Sequence, residues 1–285
     1  MMEKSKREEI LQSRKRQKKK VSLKRRLALF WLELKAYYFY FAKPKPASQT
    51  RVLIFAQGRT GSTLLENLIC STGHFQSRGE LLGGYRNPFV SYPYPYLSGL
   101  VNASPKENFI FHLKIYHLTR DRIRRGKKPI DPGAFLKKLS DDGWKIIYLK
   151  RKNTVRHMFS NFIVGHRGRY DKLDDAREDI KIEVGLKLFE ASVEQALEHQ
   201  RAEMEALAGL EYHEVVYEEN LENADGHQKT VDAILDFLSL EHRKVKAALK
   251  RINVKSLEEQ ILNYDDFCDL LERRGWRRYL HQEQN

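Results

Sequence analysis

The stretch Gln57-Gly58-Arg59-Thr60-Gly61-Ser62-Thr63 concentrates the backbone and side chains that an anion needs. It follows an apolar run rich in strand formers, Arg51–Ala56, and opens a helical pattern from Ser62 to Cys70. At a strand-to-helix junction, backbone N–H groups and the positive end of the helix dipole point at one spot. Gly58 and Gly61 allow tight turning and let an anionic oxygen approach the backbone. Arg59 adds a positive charge, Ser62 and Thr63 can donate hydrogen bonds, and Thr60 belongs to the same turn. A nucleoside-triphosphatase loop has four residues between its glycines and a Lys before the hydroxyl that holds magnesium. Here two residues separate the glycines and no lysine follows Gly61, which counts against a kinase or ATPase.

A loop of this kind must be held by a sheet. Phe109–Tyr116, Lys145–Lys150 and Tyr212–Tyr217 read as further strands, and Asn153–Val164, Glu183–Leu207 and Thr230–Leu238 as helices. Strands alternating with helices predict an α/β fold, P-loop-like and three-layered, with a central parallel sheet flanked by helices. The catalytic domain is expected over residues 51–285, preceded by a basic tail, amphipathic helix and linker over 1–50.

The loop resembles the 5′-phosphosulfate-binding turn of sulfotransferases that use 3′-phosphoadenosine-5′-phosphosulfate (PAPS). Three further segments follow in the family's order. Gly79-Glu80-Leu81-Leu82 is similar to a motif of bacterial carbohydrate sulfotransferases of the trehalose and nodulation-factor type. Ile146–Arg151, with Asn153 and Ser160, looks like the strand–Arg–helix–Ser unit that holds the cofactor's 3′-phosphate. Val216-Tyr217-Glu218-Glu219-Asn220-Leu221, followed by Ile234–Leu238, resembles the family's late strand and helix. The resemblance spans roughly residues 51 to 280.

It implies in-line transfer of a sulfuryl group from PAPS to a hydroxyl of a carbohydrate or glycolipid. Gly58, Arg59, Thr60, Gly61, Ser62 and Thr63 would hold the 5′ end of the cofactor. The family spacing puts an arginine eight residues before the serine; here Arg151 is nine before Ser160 and Lys152 is eight. Either could contact the 3′-phosphate, and the planar fork of arginine favours Arg151. Arg273-Arg274-Gly275 is similar to a basic-glycine cofactor segment of the cytosolic enzymes. Arg59 would neutralise charge on the bridging oxygen, and Lys114 would reach the sulfuryl or leaving oxygen. Glu80, where the carbohydrate enzymes place a catalytic glutamate, is the first choice of base, with partial burial expected to raise its pKa. His117, after a strand as in the cytosolic enzymes, is the rival. The cations are side chains, so no metal is implied.

Tyr85–Phe89 and Tyr92–Tyr96 read as an aromatic, proline-rich loop that would line an acceptor site or cover the sheet edge. Arg122, Arg124, Arg125, Lys127 and Lys128 form a basic run, suited to an acidic glycan or to a solvated connector. Two other classes stay open: a P-loop kinase-like phosphotransferase, and a non-catalytic anion- or membrane-binding protein.

The chain has 285 residues and a net charge of +14, from 52 Lys and Arg against 38 Asp and Glu. Residues 1–50 hold 15 of those bases and 4 of the acids, so the remainder is nearly neutral. That distribution argues against a nucleic-acid-binding core. Cys70 and Cys268 cannot make a disulfide framework and have no zinc-ligand spacing. Leu27–Ala42 is too short, and too interrupted by Glu33 and Lys35, for a spanning helix. It also lacks the cleavage site of a signal peptide. A cytoplasmic protein, free or peripheral to a membrane, is expected, with a short signal-anchor as the alternative. Leu27, Phe30, Trp31, Leu34, Tyr38 and Phe41 recur at helical spacing beside the basic leader. This suits either docking of residues 1–42 on an anionic membrane or packing on the core. Lys43-Pro44-Lys45-Pro46 marks the linker.

Overall fold

Arg51–Ala56 is buried along its whole length, as the central strand of a sheet covered on both faces must be. The computed structural model describes residues 22–44, 48–83, 90–167, 181–246 and 256–280. The elements in chain order are α1 (Leu23–Ala42), β1 (Arg51–Ala56), α2 (Ser62–Ser71), β2 (Phe75–Glu80), α3 (Pro93–Ala103) and β3 (Asn108–Leu113). They continue with α4 (Pro132–Asp141), β4 (Trp144–Lys150), α5 (Thr154–Arg167), α6 (Leu186–Leu207), β5 (Tyr212–Val216), α7 (His227–Phe237) and α8 (Tyr264–Arg273), with short helical turns between.

The five strands are all parallel, in the order β2-β3-β1-β4-β5. Alternation along β1 sends Leu53 and Phe55 to one core, with residues of α3, α4 and the end of α6. Val52, Ile54 and Ala56 enter another, with α2 and α7. The expected three layers are therefore present. A third cluster joins α5, the start of α6 and α8.

Three elements differ from the sequence reading. β2 (Phe-Gln-Ser-Arg-Gly-Glu) is a polar edge strand, the kind that hides from an apolar-run search. The region Tyr92–Tyr96 is not a loop: Pro93 and Pro95 sit in the first turn of α3, where backbone N–H groups have no intrahelical partner to lose. Strand β3 stops at Leu113, and Ile115–Leu118 turns helical, so Lys114 stands at the corner. The aromatic segment Tyr85–Phe89, the leader before Ser22 and Lys45-Pro46 lie outside the described residues.

Helix α1 packs on α3. Ala36 is buried in the first core, and a Cβ added to Gly99 would lie 1.8 Å from the Ala36 carbonyl oxygen. Asn102 Nδ2 donates to the carbonyls of Phe39 (3.3 Å) and Lys43 (3.0 Å), fixing the end of the helix. Within the basic run, buried Arg122 donates to the carbonyls of Lys128 (2.8 Å) and Ser91 (3.1 Å), a structural duty. Gly99→Ala should lower stability by about 1–3 kcal/mol through overpacking. Gly165→Ala, in α5 with nothing within 4 Å of the added carbon, should leave stability equal or higher. Urea midpoints of the two variants check this contact, and equal midpoints would refute it.

Candidate functional site

A parallel sheet brings the C-terminal ends of its strands to one edge, and here every strand ends on a residue of interest. Glu80 closes β2, Lys114 follows β3, Gln57–Gly61 follow β1, Arg151 follows β4, and Tyr217 follows β5.

The turn after β1 is held from behind. The Thr60 hydroxyl donates to the Gln57 carbonyl at 2.8 Å. Gln57 Nε2 donates to the Ala196 carbonyl (3.1 Å) and to Glu203 Oε2 (3.2 Å), both on α6. Tyr148 donates to the same carboxylate at 3.3 Å. Burial pushes the Glu203 carboxyl up to about 7, against the pull of those two donors. His157 of α5 meets the Gly58 carbonyl at 2.6 Å, so Nε2 carries the proton. Burial pushes His157 down to about 3 despite that bond, and the charges of Arg151 and Arg59 add to the effect. It is a neutral strut at neutral pH.

The glycines are required by neighbours as well as by backbone angle. Gly61 has φ +94°, and a Cβ there would lie 2.8 Å from the Tyr217 ring. A Cβ on Gly58 would lie 3.0 Å from the Tyr116 hydroxyl and 3.6 Å from Lys114 Nζ. Arg59 itself sits in the left-handed region, at φ 67°. Buried Ser62 opens α2, and exposed Thr63 follows it.

Lys114 Nζ lies 2.5 Å from Glu80 Oε1, and His117 Nε2 lies 3.8 Å from Glu80 Oε2. This carboxylate is aimed by a bulge. Ser77 pairs with Ile110 and Glu80 with His112, which leaves one extra residue in β2, and Gly79 takes φ +60°. The Gly79 N–H donates to buried Glu66 Oε1 at 3.1 Å, and His112 Nε2 lies 3.1 Å from Glu66 Oε2. Burial pushes Glu66 up, but His112, Ser77 and the Gly79 N–H outweigh it and hold the carboxyl below its usual range. Gly83 passes so close that a Cβ there would lie 3.0 Å from Glu80 Oε2.

The electrostatics reverse one expectation. Burial does push the Glu80 carboxyl up, as anticipated. However, the charge and hydrogen bond of Lys114, with His117 and His112, outweigh it and hold the carboxyl below the usual range. Burial works against the Lys114 ammonium, yet Tyr116 and Glu80 together raise its pKa. Burial and the Lys114 charge push His117 down to about 3. At neutral pH the cluster is a carboxylate and an ammonium beside a neutral imidazole.

Arg151 and Lys152 diverge. The Arg151 guanidinium lies 4.3 Å from the Tyr217 ring centroid and donates from Nε to Glu218 Oε1 at 3.3 Å. Lys152 turns to the surface and pairs with Glu219. Ser160 is half-buried on the α5 face of Asn153 and His157. Asn153 caps that helix, accepting from the Arg156 N–H at 2.9 Å. Arg274 is tied to α6, to Glu190 at 3.1 Å and to Glu194. Of the residues read from sequence, the loop, Glu80, Lys114 and His117 are thus gathered, with Arg151 beside the Tyr217 ring that crowds Gly61. Sequence reasoning missed Glu66, His112, Tyr116 and His157. Only Glu66 left a signal, an acid within the apolar pattern of α2.

The donor set of turn N–H groups, Arg59, Lys114 and hydroxyls suits an anion. A Cβ on Gly58 would lie 3.6 Å from Lys114 Nζ, so the cation stands close to that backbone. Among the described residues, no group of three or more His, Cys, Asp or Glu side chains could hold a metal ion. An open cavity of about 360 Å³ lined by Asp266, Asp269 and Glu272 shares no residue with the loop.

No family model and no curated protein matches the sequence. Among solved structures, the chain is similar to the crystal structure of a sulfotransferase from Alicyclobacillus acidocaldarius. The identity is 13%, over 82% of this chain and 97% of that one, with a TM-score of 0.43.

Because its folded value lies below that of the unfolded chain, ionised Glu80 favours the fold at higher pH, and the benefit is lost as pH falls through the folded value. Carbon-13 NMR should find Glu80 titrating below the ordinary glutamate value of about 4.3. Lys114→Met removes the counter-ion, burial then dominates, and the titration should move above it. An unmoved titration would show that Lys114 does not control this carboxylate.

Proposed function

We propose that the protein transfers a sulfuryl group from PAPS to a hydroxyl of a carbohydrate or glycolipid acceptor by in-line displacement. The observation that carries this reading is the place of the Lys114 ammonium, 2.5 Å from Glu80 Oε1 and 3.6 Å from where a side chain on Gly58 would begin. A proton acceptor and a cation stand together over an anion-binding turn, as a hydroxyl nucleophile and an anionic leaving group require. The ordered resemblance of four segments supports the donor. Gly79-Glu80-Leu81-Leu82 supports a carbohydrate-type acceptor.

The N–H groups of residues 58–63, with the Ser62 and Thr63 hydroxyls, would hold the 5′ phosphate. Arg151, stacked on Tyr217, would hold the 3′-phosphate together with Ser160. Both cations are ion-paired, and Arg151 is assigned this role because it lies largely buried beside Tyr217 whereas Lys152 turns to the surface. Bound PAPS supplies the activated sulfuryl group and its nucleotide leaving group. Arg59 and Lys114 neutralise the charge that builds on the bridging oxygen, and a preorganised donor of this kind is worth about 3–4 kcal/mol.

Lys114 also times the base. In the free protein it keeps Glu80 ionised and weakly basic. Once the ammonium turns to another anionic oxygen, Glu80 loses its counter-ion and burial raises its proton affinity. The carboxylate then accepts the proton of the attacking hydroxyl. His117, pushed down to about 3, is a poor proton acceptor, and its Nε2 lies 3.8 Å from Glu80 Oε2.

Radiolabelled donor incubated with a panel of glycans and glycolipids should yield a sulfated product. Glu80→Gln should lower kcat by about 10²–10⁴-fold with little change in donor KM. Arg151→Ala should chiefly raise donor KM. No transfer to any acceptor, with no binding of adenosine 3′,5′-bisphosphate, would refute the proposal.

A further inference from the structure

We propose that α1 is a docking face for an anionic lipid bilayer, on which the helix lies flat. One side of α1 is committed to the fold. Ala36 is buried against Gly99, and Glu33 accepts from the Tyr37 hydroxyl and from the Ser91 N–H at 2.5 Å. The side next to it is apolar and faces solvent. Leu27, Phe30, Trp31, Leu34, Tyr38 and Phe41 are 40 to 82% exposed and fall within an arc of about 100° on the helix. The fold does not use these side chains, and contiguous apolar surface of this kind marks an interaction site.

Charge identifies the occupant. Glu33 is the one acid within α1 and is buried, so it is hidden from anything that meets the stripe. Lys24, Arg26 and Lys35 flank the stripe, and Lys43 follows the helix. Residues 1–21 add nine Lys and Arg against three Glu. A second copy is a poor fit, because a two-fold contact through this stripe would set two basic leaders together. Headgroups of anionic lipids meet that charge, and Leu, Trp and Tyr side chains suit the boundary between headgroup and acyl chain. No described helix is long and apolar enough to cross a membrane, so α1, roughly 30 Å long, would rest in the interface plane.

The joint between this face and the candidate site is short. Ser91, whose N–H is held by Glu33, gives its carbonyl to Arg122, which lies five residues after His117.

The test uses the full chain and needs no turnover, so its outcome is separate from that of the sulfuryl-transfer reading. Vesicles of phosphatidylcholine with about 30 mol % phosphatidylserine are compared with phosphatidylcholine alone. Of the three tryptophans, Trp144 and Trp276 are buried, so emission changes report on Trp31. The expected result is co-sedimentation with the anionic vesicles and a blue shift of Trp31. Binding should be about tenfold or more weaker to phosphatidylcholine alone, and equally weakened by Leu34→Glu with Tyr38→Glu. Unshifted emission would overturn the proposal. So would undiminished binding of the double variant, which would mean that the leader acts alone. A lipid-free dimer that the double variant dissolves would reassign the stripe to contact between copies.

Discussion

An ammonium group withdrawn from water must be given a counter-charge, and at Lys114 that requirement ties three strands into one site. The lysine stands where β3 ends, its partner Glu80 closes β2, and the bare backbone of Gly58 lies beneath them after β1. Removing Glu80 leaves the ammonium uncompensated, a loss that reaches about 3–5 kcal/mol where both partners are fully buried and is smaller for this partly open pair. The pair is still not a sealed structural bridge, since Glu80 keeps roughly a third of its side chain exposed. That opening leaves the pair accessible to an incoming anion, as the proposed sulfuryl transfer requires.

The surroundings hold this pair in place and keep competing charge out. Glu66 receives the N–H of the bulged Gly79 and so aims the next residue, Glu80. His157 and the Gln57–Glu203 bond hold the glycine turn from two different helices. His157 and His117 are kept neutral by burial. Lys114 therefore brings positive charge to the turn that carries Arg59, with Arg151 held against the Tyr217 ring.

Much of this was legible in the sequence where periodicity and composition agree. The central strands and the glycine turn announce themselves because β1 and β4 are largely apolar runs, with Gly58 one residue beyond the first and Arg151 directly after the second. β2 was invisible because an edge strand can be polar, and α3 because two prolines look like a loop until they fall in a first turn. The sign of the Glu80 shift could not be read from the sequence, because its controlling cation lies 34 residues away, just past the end of another strand. Glu66 and His157 act on backbone groups, and contacts of that kind leave no residue pattern. For α1 the sequence allowed packing or docking. The structure shows that the packed face and the exposed apolar face are different sides of one helix.

The central claim is that Lys114 serves two anions, Glu80 in the free protein and a donor phosphate in the working one. A crystal structure with adenosine 3′,5′-bisphosphate tests it most directly. The 5′-phosphate should rest on the N–H groups of residues 58–63, with Lys114 Nζ turned from Glu80 toward it. A bisphosphate bound elsewhere, or one in the turn with Lys114 still on Glu80, would contradict the account.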